Sequence, residues 1–223
     1  MALRPPSRHL RRLAAGAAVL ALALPLSACG DDADASSDAP PQPVAEIAAV
    51  KGKNTAIKLD KGFTDALGSL GLTPGVTGGA KLVKGSLVFP ISGGNVSVFT
   101  PGEVSPYVIG QLQHEGSGLT LAAGGTTVRL SNFNVDPGVS RVYGDVAVNG
   151  QTAVTSAYLF RLDGRTLKDL ATIKDGKFAV LEGTKVFISD VAAGLLNDTY
   201  GTKAVTDQLL VGIAKITVNT KSG

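Results

Sequence analysis

The chain has 223 residues, 44% of them hydrophobic, and carries 21 Lys and Arg against 18 Asp and Glu, a formal net charge of +3. That length suits one domain or two small ones. Four of the basic residues and none of the acidic ones precede Cys29, leaving a net charge of −1 beyond that point; nucleic-acid binding, which wants a basic patch, is excluded.

Arg4, Arg8, Arg11 and Arg12 precede Leu13–Leu24, a run of Leu, Ala, Val and one Gly closed by Pro25. A basic stretch followed by a short apolar one is the pattern of an export signal. The run falls short of the roughly 20 apolar residues that span a bilayer. Leu26-Ser27-Ala28-Cys29 resembles a bacterial lipobox, in which cleavage precedes the cysteine and its thiol is acylated. Ordinary cleavage near Ala28 is the alternative. Cys29 is the one cysteine of the chain, so no internal disulfide is available to it. Two or three acyl chains, palmitate among them, anchor stably where a single chain does not. Residues 1–28 are therefore read as a lipoprotein signal peptide. The mature chain is expected at the cell membrane, lipid-anchored through Cys29 and facing the extracytoplasmic side.

Residues 29–50 read as a disordered spacer. Asp31, Asp32, Asp34 and Asp38 alternate with Ala and Ser, and Pro40, Pro41 and Pro43 follow; such a composition favours an extended linker.

Residues 51–220 read as a single mainly-β domain, an antiparallel β-sandwich or barrel-like meander with one or two short helices, because short apolar runs alternate with Gly-containing breaks. Asn54–Asp60 alternates as a strand. In Lys61–Gly71, Phe63, Ala66, Leu67 and Leu70 fall at helical spacing. "LTPGVTGG" then reads as a break. Lys81–Ile91 predicts a strand pair or one bulged strand, and Val96–Thr100 a short strand. Tyr107–His114 predicts a strand ending at a turn, "EGSG", before Leu119–Ala122. Thr127–Phe133, Arg141–Val148 and Val154–Leu162 continue an antiparallel meander, with hairpin signals at Asp136-Pro137-Gly138 and Asn149-Gly150. Residues 51–71 and 181–201 share one pattern of glycine turn, strand and short helix, with Asp190 placed to cap the second helix. Val211–Val218 predicts an interior final strand.

The chemistry-bearing motifs are few. No phosphate-binding loop and no G-x-S-x-G elbow is present. Glu103, Glu115, Asp136, Asp145 and Asp163 fall near predicted strand ends and read as solvated turn acids. "NVDPG" and "LNDTYG" offer oxygens to calcium without matching a known loop pattern. No catalytic residue and no metal site is predicted. His114 is expected at a strand end beside a Gly-x-Gly turn, open on one side. Tyr200 is expected at the end of the second short helix, and most phenylalanines in the core.

Three elements carry a resemblance. Phe89-Pro90-Ile91-Ser92-Gly93-Gly94, His114-Glu115-Gly116-Ser117-Gly118-Leu119, and Tyr200-Gly201-Thr202 before Ile213–Val218 are similar to the HtaA-like domain of actinobacterial cell-envelope proteins, over roughly residues 52–219. The resemblance implies capture of haem at the cell surface, with His114 and Tyr200 as iron ligands. The chain departs from the family pattern in having no Trp and no Tyr in the opening stretch 54–70. The leading reading is a lipid-anchored envelope protein with a structural or interaction role and no cofactor, meeting a cell-wall component or a secreted protein. Binding of haem or another small ligand is the first alternative, and a carbohydrate-binding or carbohydrate-active protein the second.

Overall fold

The computed structural model describes residues 40–50 and 52–220. The expected signal peptide, Cys29 and most of the spacer lie outside the described residues. In chain order the elements are β1 (Ala45–Ile47), β2 (Gly52–Leu59), α1 (Lys61–Ser69), β3 (Thr73–Gly78), β4 (Lys81–Val83), β5 (Ser86–Pro90) and β6 (Gly93–Val98). They continue as β7 (Val108–Ala123), β8 (Thr126–Asp136), β9 (Arg141–Val148), β10 (Gln151–Asp163), β11 (Ala171–Ile173), β12 (Phe178–Ile188), α2 (Asp190–Tyr200) and β13 (Leu210–Asn219).

The strands form one antiparallel sheet in the order β1-β6-β7-β8-β9-β10-β12-β13-β2-β5-β4, with β11 added to β12 and β3 to β7. The sheet curls into a half-barrel, and no helix among the described residues is long and apolar enough to cross a membrane. Alternation puts one face of each strand inside: Val128, Leu130, Phe133 and Val135 of β8 are buried, as are Val142 and Val146 of β9. The final strand is interior, as its dense apolar residues predict. It lies between β12 and β2, burying Val211, Ala214 and Val218.

Curvature comes from a line of bulges. The register slips between His114 and Gly118 on β7, between Ser131 and Asn134 on β8, and between Val154 and Ala157 on β10. Gly116, Asn132 and Ser156 sit at these slips with φ of +67°, +54° and +52°. An extra residue in one strand bends it and tightens its twist. Asp145 of β9 ties two of the bulges together: one carboxylate oxygen accepts from Asn132 Nδ2 (2.8 Å) and the other from Ser156 N (3.0 Å). Asn132 Oδ1 in turn accepts from Gly116 N (3.0 Å). Asp145, expected as a solvated turn acid, is thus a structural residue in mid-strand.

The short helices both follow strands that flank β13. Asp60 caps α1, accepting from Gly62 N at 2.7 Å, and the helix buries Phe63 and Leu67. Ser189, rather than Asp190, caps α2, accepting from Ala192 N at 2.9 Å; Asp190 is the first helical residue. An acid in the first turn still favours the helix dipole. The predicted pair of strand–helix units is present, but β2–α1 and β12–α2 flank the last strand instead of the central meander. Because β2 and β12 both run antiparallel to β13, their helices leave the sheet at the same end.

Four further sequence expectations are corrected. Residues 45–47, expected in the spacer, pair with β6, and Val50 is buried. "LTPGVTGG" holds β3, which extends the edge of β7 beyond β6. "EGSG" is no turn: Gly116 uses its positive φ for a bulge, so β7 runs unbroken for 16 residues. His114 therefore lies inside a strand and is 1% exposed.

Candidate functional site

The concave face of the half-barrel encloses a cavity of about 610 Å³. Volumes of about 300–1,000 Å³ are typical of small-molecule sites. Strands β2, β5–β10, β12 and β13 all supply wall residues, most of them Leu, Ile, Val and Phe. Three phenylalanines form a row along the wall: Phe89 and Phe133 meet edge to face at 5.2 Å between centroids, and Phe133 and Phe160 at 6.0 Å. Such pairs fix one another's orientation as well as burying area. Gly144 makes room for this row, because a Cβ there would stand 2.8 Å from Leu159 Cδ1 and 3.0 Å from Phe133 Cδ1.

The ends of the half-barrel differ. Where β2 and β12 finish, α1 and α2 begin, and their buried faces join the core. Where β6, β8 and β10 finish, the cavity is bordered by residues of connecting segments: Ser105-Pro106-Tyr107, Pro137 and Ser140, and Asp163, Gly164, Arg165 and Leu167. This is the mouth. Its ion pair is self-contained, since Arg165 donates to Asp163 through Nε (2.9 Å) and Nη2 (2.7 Å). That hydrogen bonding holds the Asp163 carboxyl below the usual carboxylate range. Burial, with the nearby Asp169 carboxylate, pushes the Tyr107 phenol up.

His114 and Thr55 are the polar pair of the wall, with His114 Nε2 2.8 Å from Thr55 Oγ1. Phe89 meets the imidazole edge to face at 6.4 Å. His114 Nδ1 is buried without a hydrogen-bond partner. Burial pushes the imidazole pKa down to about 4, against the opposing pull of the Phe133 and Leu112 carbonyls. The ring is therefore neutral at physiological pH. It stands behind its neighbours, with almost no surface of its own.

Tyr200 lies elsewhere. It ends α2, does not line the cavity, and its hydroxyl donates to Leu121 O at 2.6 Å while accepting from Val128 N at 3.3 Å. Burial raises its phenol pKa, and the Val128 N–H partly offsets that. The structure does not bring His114 and Tyr200 to one site. In this arrangement the Tyr200 hydroxyl is engaged on both sides and the His114 ring is buried, so neither presents a ligand atom at the cavity surface. No group of three or more His, Cys, Asp or Glu side chains able to hold a metal occurs among the described residues.

Sequence reasoning missed the cavity wall as a site. Thr55, Phe89, Phe133 and Phe160 carried the signal of inward-facing strand positions, which reads identically for a filled core and a hollow one.

No family model matches this sequence, and no curated protein matches it. Distant likenesses to solved structures include the following two. One is the C-terminal domain of HtaA from Corynebacterium glutamicum, at 10% identity and a TM-score of 0.48, covering 76% of this chain and 98% of that one. The other is the heme binding protein HtaB from the same organism, at 9% identity and a TM-score of 0.47, covering 79% of this chain and 96% of that one.

Proposed function

We propose that this protein is an extracytoplasmic envelope protein, anchored through an acylated Cys29, whose β domain binds a small molecule with a large apolar body inside the half-barrel. The observation that carries the reading is the cavity: about 610 Å³ lined mostly by apolar side chains, with its charged lining residues, Arg161, Asp163 and Arg165, grouped at the end of β10 and just after it. An apolar space of this size is costly to leave unfilled and has few partners for water. A ligand with an apolar body and a polar end would bury the first against the phenylalanine row and leave the second among the mouth residues. The sequence anchor and the spacer support the location.

Haem is a second reading, favoured by one observation: a neutral histidine on the wall keeps an unpartnered ring nitrogen. Axial ligation of a haem iron by neutral imidazole would use His114. That requires the ring to turn out from behind its neighbours and release Thr55. Tyr200 is structural in both readings.

Titration of the purified protein with a fluorescent polyene fatty acid and, separately, with haemin tests these readings. The apolar-ligand reading expects saturable binding of the polyene at one molecule per chain. A Soret band that sharpens with haemin and is lost in His114→Ala supports the haem reading. Failure of both ligands to bind overturns the proposal.

A further inference from the structure

The chain enters the fold beside the mouth. Val44 N donates to Val98 O at 2.7 Å, at the last residue of β6, and Phe99 N donates to Tyr107 O at 2.8 Å just beyond it. The loop so closed carries Ser105, Pro106 and Tyr107, which border the cavity. Fifteen residues lead from Cys29 to Val44, a reach of at most about 50 Å when fully extended. An anchor at Cys29 thus pulls on the open end of the half-barrel, and the two helices lie at the opposite end.

The open end is also suited to lipid. Val44 is 64% exposed where the chain enters, Val139 is 56% exposed on the β8–β9 turn, and Ile173 is 43% exposed on β11. Pro137 and Ser140 of the same turn border the cavity. Lys174 and Lys177 are exposed in the turn between β11 and β12, beside Ile173, while Arg165 and Lys168 are paired with Asp163 and Glu182. Apolar tips with flanking cations are the combination that settles on an anionic bilayer surface.

We propose that the mouth end is a lipid-docking face: the domain sits mouth-first on the membrane that holds its anchor, and an apolar ligand passes between bilayer and half-barrel without crossing water. The docking rests on the Cys29 anchor proposed above, and the ligand exchange rests on the proposed binding function as well. The occupant of this face is the bilayer itself.

The test uses the full lipidated chain in vesicles of phosphatidylcholine and phosphatidylglycerol in equal parts. Cys29 is blocked by its lipid, so a single added thiol takes an environment-sensitive dye. Val139→Cys and Ile173→Cys report the mouth end. Val191→Cys, on α2, reports the opposite end, and Val154→Cys reports β10 away from the mouth. Docking predicts that dyes at positions 139 and 173 shift to the blue and are quenched by spin-labelled lipid, while those at 154 and 191 are not. Quenching that is equal at all four positions, absent from all four, or confined to 154 and 191 overturns it. The Val139→Asp/Ile173→Asp double variant separates exchange from binding. Transfer of the polyene fatty acid from vesicles should slow by about tenfold, the effect of removing two small apolar contacts with lipid. Its binding affinity from dilute solution should stay unchanged. Transfer that keeps its rate in the double variant overturns direct exchange. A protein that docks at 139 and 173 but binds no polyene leaves the docking intact and sinks the ligand-binding reading instead.

Discussion

The buried histidine makes the stability of the domain depend on pH in a window that carboxylates do not share. His114 has a pKa of about 4 in the folded protein, against about 6.5 in an unfolded chain. Between those values the unfolded state binds more protons, so stability falls as pH falls. The loss begins near pH 6.5 and is complete near pH 4. At about 1.4 kcal/mol per pH unit it reaches roughly 2 kcal/mol at pH 5 and about 3 kcal/mol at pH 4. Asp163 and Glu182, both held below their ordinary values by basic partners, lose their stabilising effect only as pH falls through the carboxylate range, so the upper part of the window belongs to His114. The one other histidine, His9, lies in the predicted signal peptide. Urea unfolding at half-unit steps from pH 7.5 to 5 measures the effect as a falling midpoint with a constant slope. A midpoint that stays level from pH 7 to 5 refutes the argument. So does a His114→Gln variant that folds and shows the same decline. An NMR titration of the native protein adds a check independent of any variant: the imidazole resonances should not move above pH 5.5.

Three further outcomes follow from named contacts. Ala214→Phe, on the cavity wall, should abolish polyene fatty-acid binding while leaving the melting temperature equal or higher, because the new ring occupies space the ligand needs; retained affinity would place the ligand elsewhere. Asp145→Ala should cost about 2 kcal/mol, since it leaves Ser156 N and Asn132 Nδ2 without their shared acceptor; chemical denaturation measures this, and a change below about 0.5 kcal/mol would mean the bulges hold themselves. Tyr200→Phe should cost about 1–2 kcal/mol by removing the donor to Leu121 O and the acceptor of Val128 N, with haemin and fatty-acid titrations unchanged; a lost Soret band in this variant would restore Tyr200 to the site.

The sequence by itself determined the strand-rich class, the run of most strands and which faces turn inward. Arg141–Val148 and Val211–Val218 alternate or cluster apolar residues strongly enough to be read without a partner, and the structure places strands there. It also located both helices: Phe63 and Leu67 fall one turn apart on the buried face of α1, and Val191, Leu195 and Leu196 mark α2, although there the buried face is Ala192, Ala193 and Leu196 and Val191 is exposed. Tertiary structure alone decided the rest. β1, β3 and β11 are short and weakly patterned, and they are strands only because β6, β7 and β12 offer them an edge to pair with. Gly116 signals a turn in any local reading, and it becomes a bulge because Asn132 from the next strand accepts its N–H. That bulge keeps His114 inside the strand and buried. The cavity belongs to this second category for the same reason: alternation tells each residue which side to face, but whether facing walls meet or stand apart depends on curvature, which neighbouring strands impose together.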